Sequence, residues 1–282
     1  MIGSLLNRQL SAFIRRRVRN LPAILVVSTM LAGCADMVPT FGEIKEDNAQ
    51  SKTEQLLRIA ETTRQGGDLE SALALYRRAH NLEPDDLRPL LAIGETAFAL
   101  GKFEQSANAY DKALGKEPEN LSILLGYGKT LISLDRPDQA MEHFKSAVRI
   151  NPADHRGFNG YGVSLDMLGR HQEAQDQYRK GLAVAPEAVS LSNNLALSLA
   201  FVGKFVPAID LLKAFADNPL SGVRLRQNLA LIYGLAGMEE QASKMAAQDL
   251  DSASVANNLA YYRQLRELSS KARAQAVFGA NN

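Results

Sequence analysis

LSILLGYGKTLISLDRPDQAMEHFKSAVRINP, residues 121–152, contains one full unit of a pattern that runs through most of the 282-residue chain. Small Gly128 sits within a first apolar-periodic stretch, and Ala140, Phe144 and Ala147 punctuate a second that stops at Pro152. Working outward, Pro84, Pro118, Pro152 and Pro186 fall 34 residues apart, and Gly67, Gly101, Gly169, Gly203 and Gly237 share that lattice with Asp135 in the missing place. A fixed period of this length signals stacked supersecondary units. Each unit reads as a helix ending at the glycine, which turns cheaply into left-handed geometry, then a second helix stopped near the proline.

Small residues recur inside both helices: Ala60, Gly94, Gly128, Gly162, Ala196 and Ala230 in the first, Ala72, Ser106, Ala140, Ala174, Ala208 and Ala242 in the second. Smallness there lets paired helices cross closely, while Tyr76, Tyr110, Phe144, Tyr178 and Leu212 supply the bulk that fills between them. The pattern resembles the tetratricopeptide repeat over about residues 53–249. What the resemblance implies is an all-α right-handed superhelix, an α-solenoid of about five regular helix pairs at 53–219, with a divergent sixth pair and a C-terminal capping helix at 220–282. The tryptophan often found early in that repeat is replaced by Leu56, Leu90, Leu124 and Phe158, then by Ser192 and Arg226. Phe215 and Asp249 stand where Ala79, Ala113, Ala147 and Gly181 do, so the end of the array is atypical, as a terminal repeat facing water should be. From Val255 to about Val277 a basic helical pattern (Arg263, Arg266, Lys271, Arg273) reads as the solvent-covered cap.

The N-terminus reads as an address. Five arginines and no acid lie in the first 33 residues, followed by the apolar run LPAILVVSTML (residues 21–31) and then Ala32, Gly33 and Cys34. A helix of that run is about 16 Å long against a bilayer core of ~30 Å, so residues 1–33 are expected to be a cleaved secretory signal rather than a span. Leu31-Ala32-Gly33-Cys34 resembles the bacterial lipobox, which implies acylation of Cys34. Alanine rather than aspartate at position 35 implies the periplasmic side of the outer membrane. Residues 34–52, with Pro39, Gly42, acids and amides, read as a flexible tether.

Without the signal, 27 basic and 31 acidic residues remain, a mildly acidic body with no footprint for a phosphate backbone, so nucleic acid is not expected as a partner. His80, His143, His155 and His171 occupy four different repeat places and are expected at the surface, without metal. No nucleophile elbow or phosphate loop is present, and the repeats leave no room for a catalytic domain. No cofactor, no small-molecule substrate and no enzymatic activity are expected; partners are proteins, with the membrane reached through the lipid on Cys34.

In the repeat family the first helix of each pair lines the concave groove. The resemblance thereby points to Phe98, Lys129, Asn159, Asp166, Asn193, Asn194, Leu197, Gln227 and Asn228, with Asn258 in a related later string, as ligand-facing. An asparagine row can pair with both polar groups of a peptide backbone, or it can bridge neighbouring helices; both roles fit the pattern. Residues 190–267, including SNNLALSLAFVGKFVPAIDLL, RQNLALIYGLAG and DLDSASVANNLAYYRQLR, resemble the TadD lipoproteins of the Flp (tight adherence) pilus system. This implies a scaffold that helps assemble the pilus secretion machinery, holding or localising its secretin. The alternative is another repeat lipoprotein, regulating cell-wall hydrolases or outer-membrane protein insertion.

Overall fold

The computed structural model describes residues 43–216 and 222–279. The signal, Cys34 and the start of the tether lie outside the described residues. Fourteen helices occupy the described chain: α1 (Glu43–Gln65), α2 (Leu69–Leu82), α3 (Leu87–Ala99), α4 (Phe103–Lys116), α5 (Leu121–Ser133), α6 (Pro137–Ile150), α7 (His155–Met167), α8 (His171–Val184), α9 (Val189–Phe201), α10 (Phe205–Ala216), α11 (Val223–Leu235), α12 (Glu239–Ala246), α13 (Ser252–Glu267) and α14 (Ser270–Gly279). They stack as antiparallel pairs, and the first helices α3, α5, α7, α9 and α11 also touch one another in order along one face.

Helix boundaries follow the lattice. Asp86, Asn120 and Asp154, one period apart, cap α3, α5 and α7 by accepting the N–H of Arg88, Ser122 and Arg156 at 2.9–3.0 Å. Ala188 and Gly222 hold the same place before α9 and α11 and supply no side-chain cap. Asp135 takes the glycine turn at φ 54°, a conformation aspartate tolerates better than most side chains. α1 starts at Glu43, so residues 43–52, read from sequence as tether, are helical. EIKEDNAQSK has no Gly or Pro and opens with acids that suit a helix N-terminus; it lacks a helical period but not helix-forming residues.

The C-terminal end departs from the single expected cap. The chain breaks at Leu268, whose extended backbone (φ −83°, ψ 154°) ends α13, and α14 then doubles back onto α7 and α9. Ala274, Val277 and Phe278 of α14 are buried there rather than meeting solvent. α13 does the capping, laying Val255, Tyr262 and Leu265 against the last pair.

The candidate partner-binding groove

Large rings from the second helices reach between the first helices, and glycine makes the space. The Tyr110 ring lies against Gly94 of its own pair and Gly126 of the next; Phe144 lies likewise against Gly128 and Gly160. A methyl group at Gly126 or Gly160 would overlap the ring it faces. Because those two positions also carry no side chain toward the inner face, they leave an open cleft of about 570 Å3 along α3, α5 and α7. Its walls mix Leu125, Ile132 and Val163 with Glu95, Lys129, His155, Arg156 and Asn159. Lys129 Nζ stands 4.2 Å over the Phe98 ring, a cation–π contact that ties α5 to α3 and holds the ammonium at the cleft's edge. Arg156 is fixed by Asp154, its Nη2 2.6 Å from the carboxylate. Burial, with the charge of Glu95 adding to it, raises the Tyr110 hydroxyl above its ordinary range, so the ring is a neutral wall. Such a cleft suits a peptide segment carrying both apolar and acidic groups.

One period after Gly126 and Gly160 the same place holds Asn194 and then Asn228. Each amide donates to the residue 35 positions earlier: Asn228 Nδ2 to Asn193 Oδ1 at 2.8 Å, Asn194 Nδ2 to Asn159 Oδ1 at 2.9 Å. Asn193 Nδ2 joins the two links by donating to Asn194 Oδ1 at 3.3 Å, so one relay crosses α11, α9 and α7. Of the two roles open for these amides, bridging between helices is the one the geometry displays. The relay stops where glycine replaces the amide, and there the cleft opens.

The remaining expected groove residues scatter. Leu197 is 1% exposed, packed within the core. Gln227 turns from the groove, donating to Asp249 Oδ2 at 3.4 Å. Arg226 donates through Nε to the same oxygen at 2.8 Å, so the two departures of the sixth pair, Arg226 and Asp249, are one ion pair. Asn258 is half-buried on α13 beside Tyr262.

Two further expectations are corrected. Asp166, expected to face a ligand, is 0% exposed, and His171, expected at the surface, is buried beside it. Asp166 Oδ1 lies 2.7 Å from His171 Nδ1 and accepts from Ser198 Oγ at 2.7 Å; Oδ2 accepts from the Tyr178 hydroxyl at 2.9 Å. Burial pushes the Asp166 carboxyl up despite these hydrogen bonds, and it raises Tyr178 well above the phenol range. The Ser198 hydroxyl and the His171 ring both address the carboxylate; the hydroxyl's other contact is the His171 backbone carbonyl at 3.5 Å, not the ring, and Ser198 is fully buried. That is not a nucleophile–base arrangement; it is a polar clasp joining α7, α8 and α9. Among the described residues no cluster of three or more His, Cys, Asp or Glu could hold a metal, and no helix is long and apolar enough to cross a membrane.

Residues 91–155, which include α4, α5 and α6, match the family model of the tetratricopeptide repeat. Solved structures with the same architecture include PilW, described as a widely conserved type IV pilus biogenesis factor (19% identity, covering 74% of this chain and 97% of that one, TM-score 0.64). A tetratricopeptide repeat protein from Parabacteroides merdae is 18% identical over 78% of this chain and 90% of its own (TM-score 0.64). This chain has the tetratricopeptide-repeat fold. Pseudomonas aeruginosa pilF is a further match, 19% identical over 71% of this repeat chain and 91% of its own, with a TM-score of 0.57. No curated protein matches the sequence. At these identities the likeness is one of fold.

Proposed function

We propose that this tetratricopeptide-repeat chain is a lipid-anchored scaffold on the periplasmic side of the outer membrane that assists assembly of the Flp pilus secretion machinery, taking a segment of its secretin into the inner cleft. The observation that carries the binding role is the glycine-floored cleft of α3, α5 and α7, open, mixed in polarity and edged by Lys129. The anchoring role rests on the signal-like segment ending at Cys34, and the pilus role on the strings within residues 190–267 that resemble TadD lipoproteins. Two of the fold neighbours being a type IV pilus biogenesis factor and pilF supports the same direction.

In this reading the amide relay and the Asp166 clasp fix the curvature of the solenoid, and the cleft beside them does the recognising. Large rigid surfaces that differ little between free and bound states keep the ordering cost of binding low. A photo-crosslinking side chain at Leu125 in living cells is expected to capture the secretin, while one on the exposed outer residue Asp138 of α6 is not. Capture from Asp138 alone would place binding on the other face and overturn the assignment.

A further inference from the structure

Along the inner face the residues one period apart change character. Glu95 and Lys129 give way to Val163, Leu197 and Leu231, and Ala99 and Ser133 to Met167, Phe201 and Leu235. The open cleft runs along the polar residues and ends at Val163; α14 lies against α7 and α9, where the apolar residues begin. Phe278 meets Phe201 edge-on with ring centroids 5.6 Å apart, and Met167 and Phe201 are at most 1% exposed. Lys271 runs against the Gly169 turn.

α14 is not needed to close the stack, because α13 already does so: its Tyr262 ring packs on Gly234 as Tyr178 packs on Gly162. Nor is a ten-residue helix stable by itself, since isolated helices below roughly 12–15 residues are marginal in water. What seats it is Val277, Phe278, Ala274, the Tyr261 hydroxyl donating to Ala276 O at 3.4 Å, and one guanidinium. Arg273 donates to Phe201 O at 3.2 Å, Leu265 O at 2.9 Å and Arg266 O at 2.9 Å. Those carbonyls belong to the last turns of α9 and α13, where the negative dipole ends favour a cation; Leu265 O accepts the Leu268 N–H as well, at 3.2 Å.

We propose that α14 is a built-in occupant of the apolar half of the groove, seated where an amphipathic helix of a partner docks and released when that helix takes its place. The seated segment gives the chemistry of the replacement: a short helix presenting a cation and a small residue, then an apolar–aromatic pair one turn later, as Arg273, Ala274, Val277 and Phe278 do. This rests on the inner face being the binding surface, but its first test uses no partner, so its failure and that of the secretin assignment are separable.

Amide hydrogen exchange on the full chain is expected to show α14 exchanging at least tenfold faster than α9 and α11, by a local opening that leaves the stack intact. Phe278→Ala should speed exchange of α14 further without changing α11. A labelled peptide of residues 268–282 should bind the Phe278→Ala chain at least tenfold more tightly than the unaltered one, because the site is then less often filled. The proposal is overturned if α14 exchanges only with global unfolding, if Phe278→Ala deprotects α11 together with α14, or if the peptide binds both chains equally or neither.

Discussion

Tyr178→Phe removes one oxygen from a side chain that is otherwise entirely packed, and so isolates the clasp around Asp166. The Tyr178 hydroxyl is the hydrogen-bond partner of Asp166 Oδ2 at 2.9 Å, and neither group reaches solvent. Leaving one buried acceptor of a carboxyl unpaired costs about 1.5–3 kcal/mol. Ser198→Ala is milder, about 1 kcal/mol, because Asp166 Oδ1 keeps His171 at 2.7 Å. Asp166→Ala strands the Tyr178 hydroxyl and His171, whose Nε2 is already buried without a partner, and leaves the Ser198 hydroxyl only the His171 carbonyl at 3.5 Å. Its expected cost is about 3–5 kcal/mol, the range for breaking a buried polar pair. In a repeat domain of this size about 2 kcal/mol lowers Tm by roughly 4–8 °C. Urea unfolding followed by circular dichroism, with the three variants side by side, should rank Asp166→Ala, Tyr178→Phe and Ser198→Ala in falling order of damage. A Tyr178→Phe protein as stable as the unaltered one, or an Asp166→Ala loss under about 1 kcal/mol, would refute the idea that this cluster clamps α7, α8 and α9.

Three further outcomes are expected. Asn194→Ala with Asn228→Ala breaks both long links of the relay and should cost about 1–3 kcal/mol in the same unfolding assay, with secretin capture unchanged. Glu239, gripped by Arg263 and Arg266, has its carboxyl held down at about 2. Its pKa is lower folded than unfolded, so its contribution is complete above about pH 4.5 and disappears as pH falls through about 2. Acid titration between pH 5 and 2 should therefore loosen α13 from α12, read as lower protection of the α13 amides relative to their intrinsic exchange rates at each pH. Cys34→Ala should move the protein from the membrane fraction to the soluble periplasm; unchanged membrane retention would remove the lipid anchor from the account.

The 34-residue lattice made the helix pairs legible because close packing demands small, large and turn-forming residues at fixed places. Its departures carry information too when taken in pairs, although singly Asp166 reads as ligand-facing and His171 as a surface residue. Asp166 interrupts a column that holds Phe98, Ile132, Ala200 and Gly234 after Arg64, and His171 interrupts one that holds Leu69, Phe103, Pro137 and Phe205 before Glu239. An acid and an imidazole entering two largely apolar stretches of neighbouring columns together is the signal of a polar clasp. Arg226 and Asp249 announce their ion pair in the same way. The sequence of Gly126, Gly160, Asn194 and Asn228 down one column marks where the groove is open and where amides close it, though both residue types are simply small and polar until the Tyr110 and Phe144 rings are in view. The course of α14 was not legible, because a break at Leu268 and Ser269 sets a direction that no periodicity encodes. The sequence does carry one sign that this surface is covered, the apolar Val163, Leu197 and Leu231 at a place that holds Glu95 and Lys129 in earlier pairs, but the repeat pattern alone points to Leu197 as ligand-facing. The helical start at Glu43 escaped notice for the opposite reason: its residues favour helix, but they carry no apolar stripe.

Affinity of the full chain for the Flp secretin, measured by titration calorimetry with paired variants, tests the assignment of the open cleft most directly. Lys129→Glu with Arg156→Glu reverses charge at the cleft without touching its packing core and should weaken binding at least tenfold, about 1.4 kcal/mol or more. Asn194→Ala with Asn228→Ala should leave affinity within about twofold, a difference of ~0.4 kcal/mol. The reverse pattern, tight binding with the cleft charges reversed and loss of binding with the amides removed, would contradict the account.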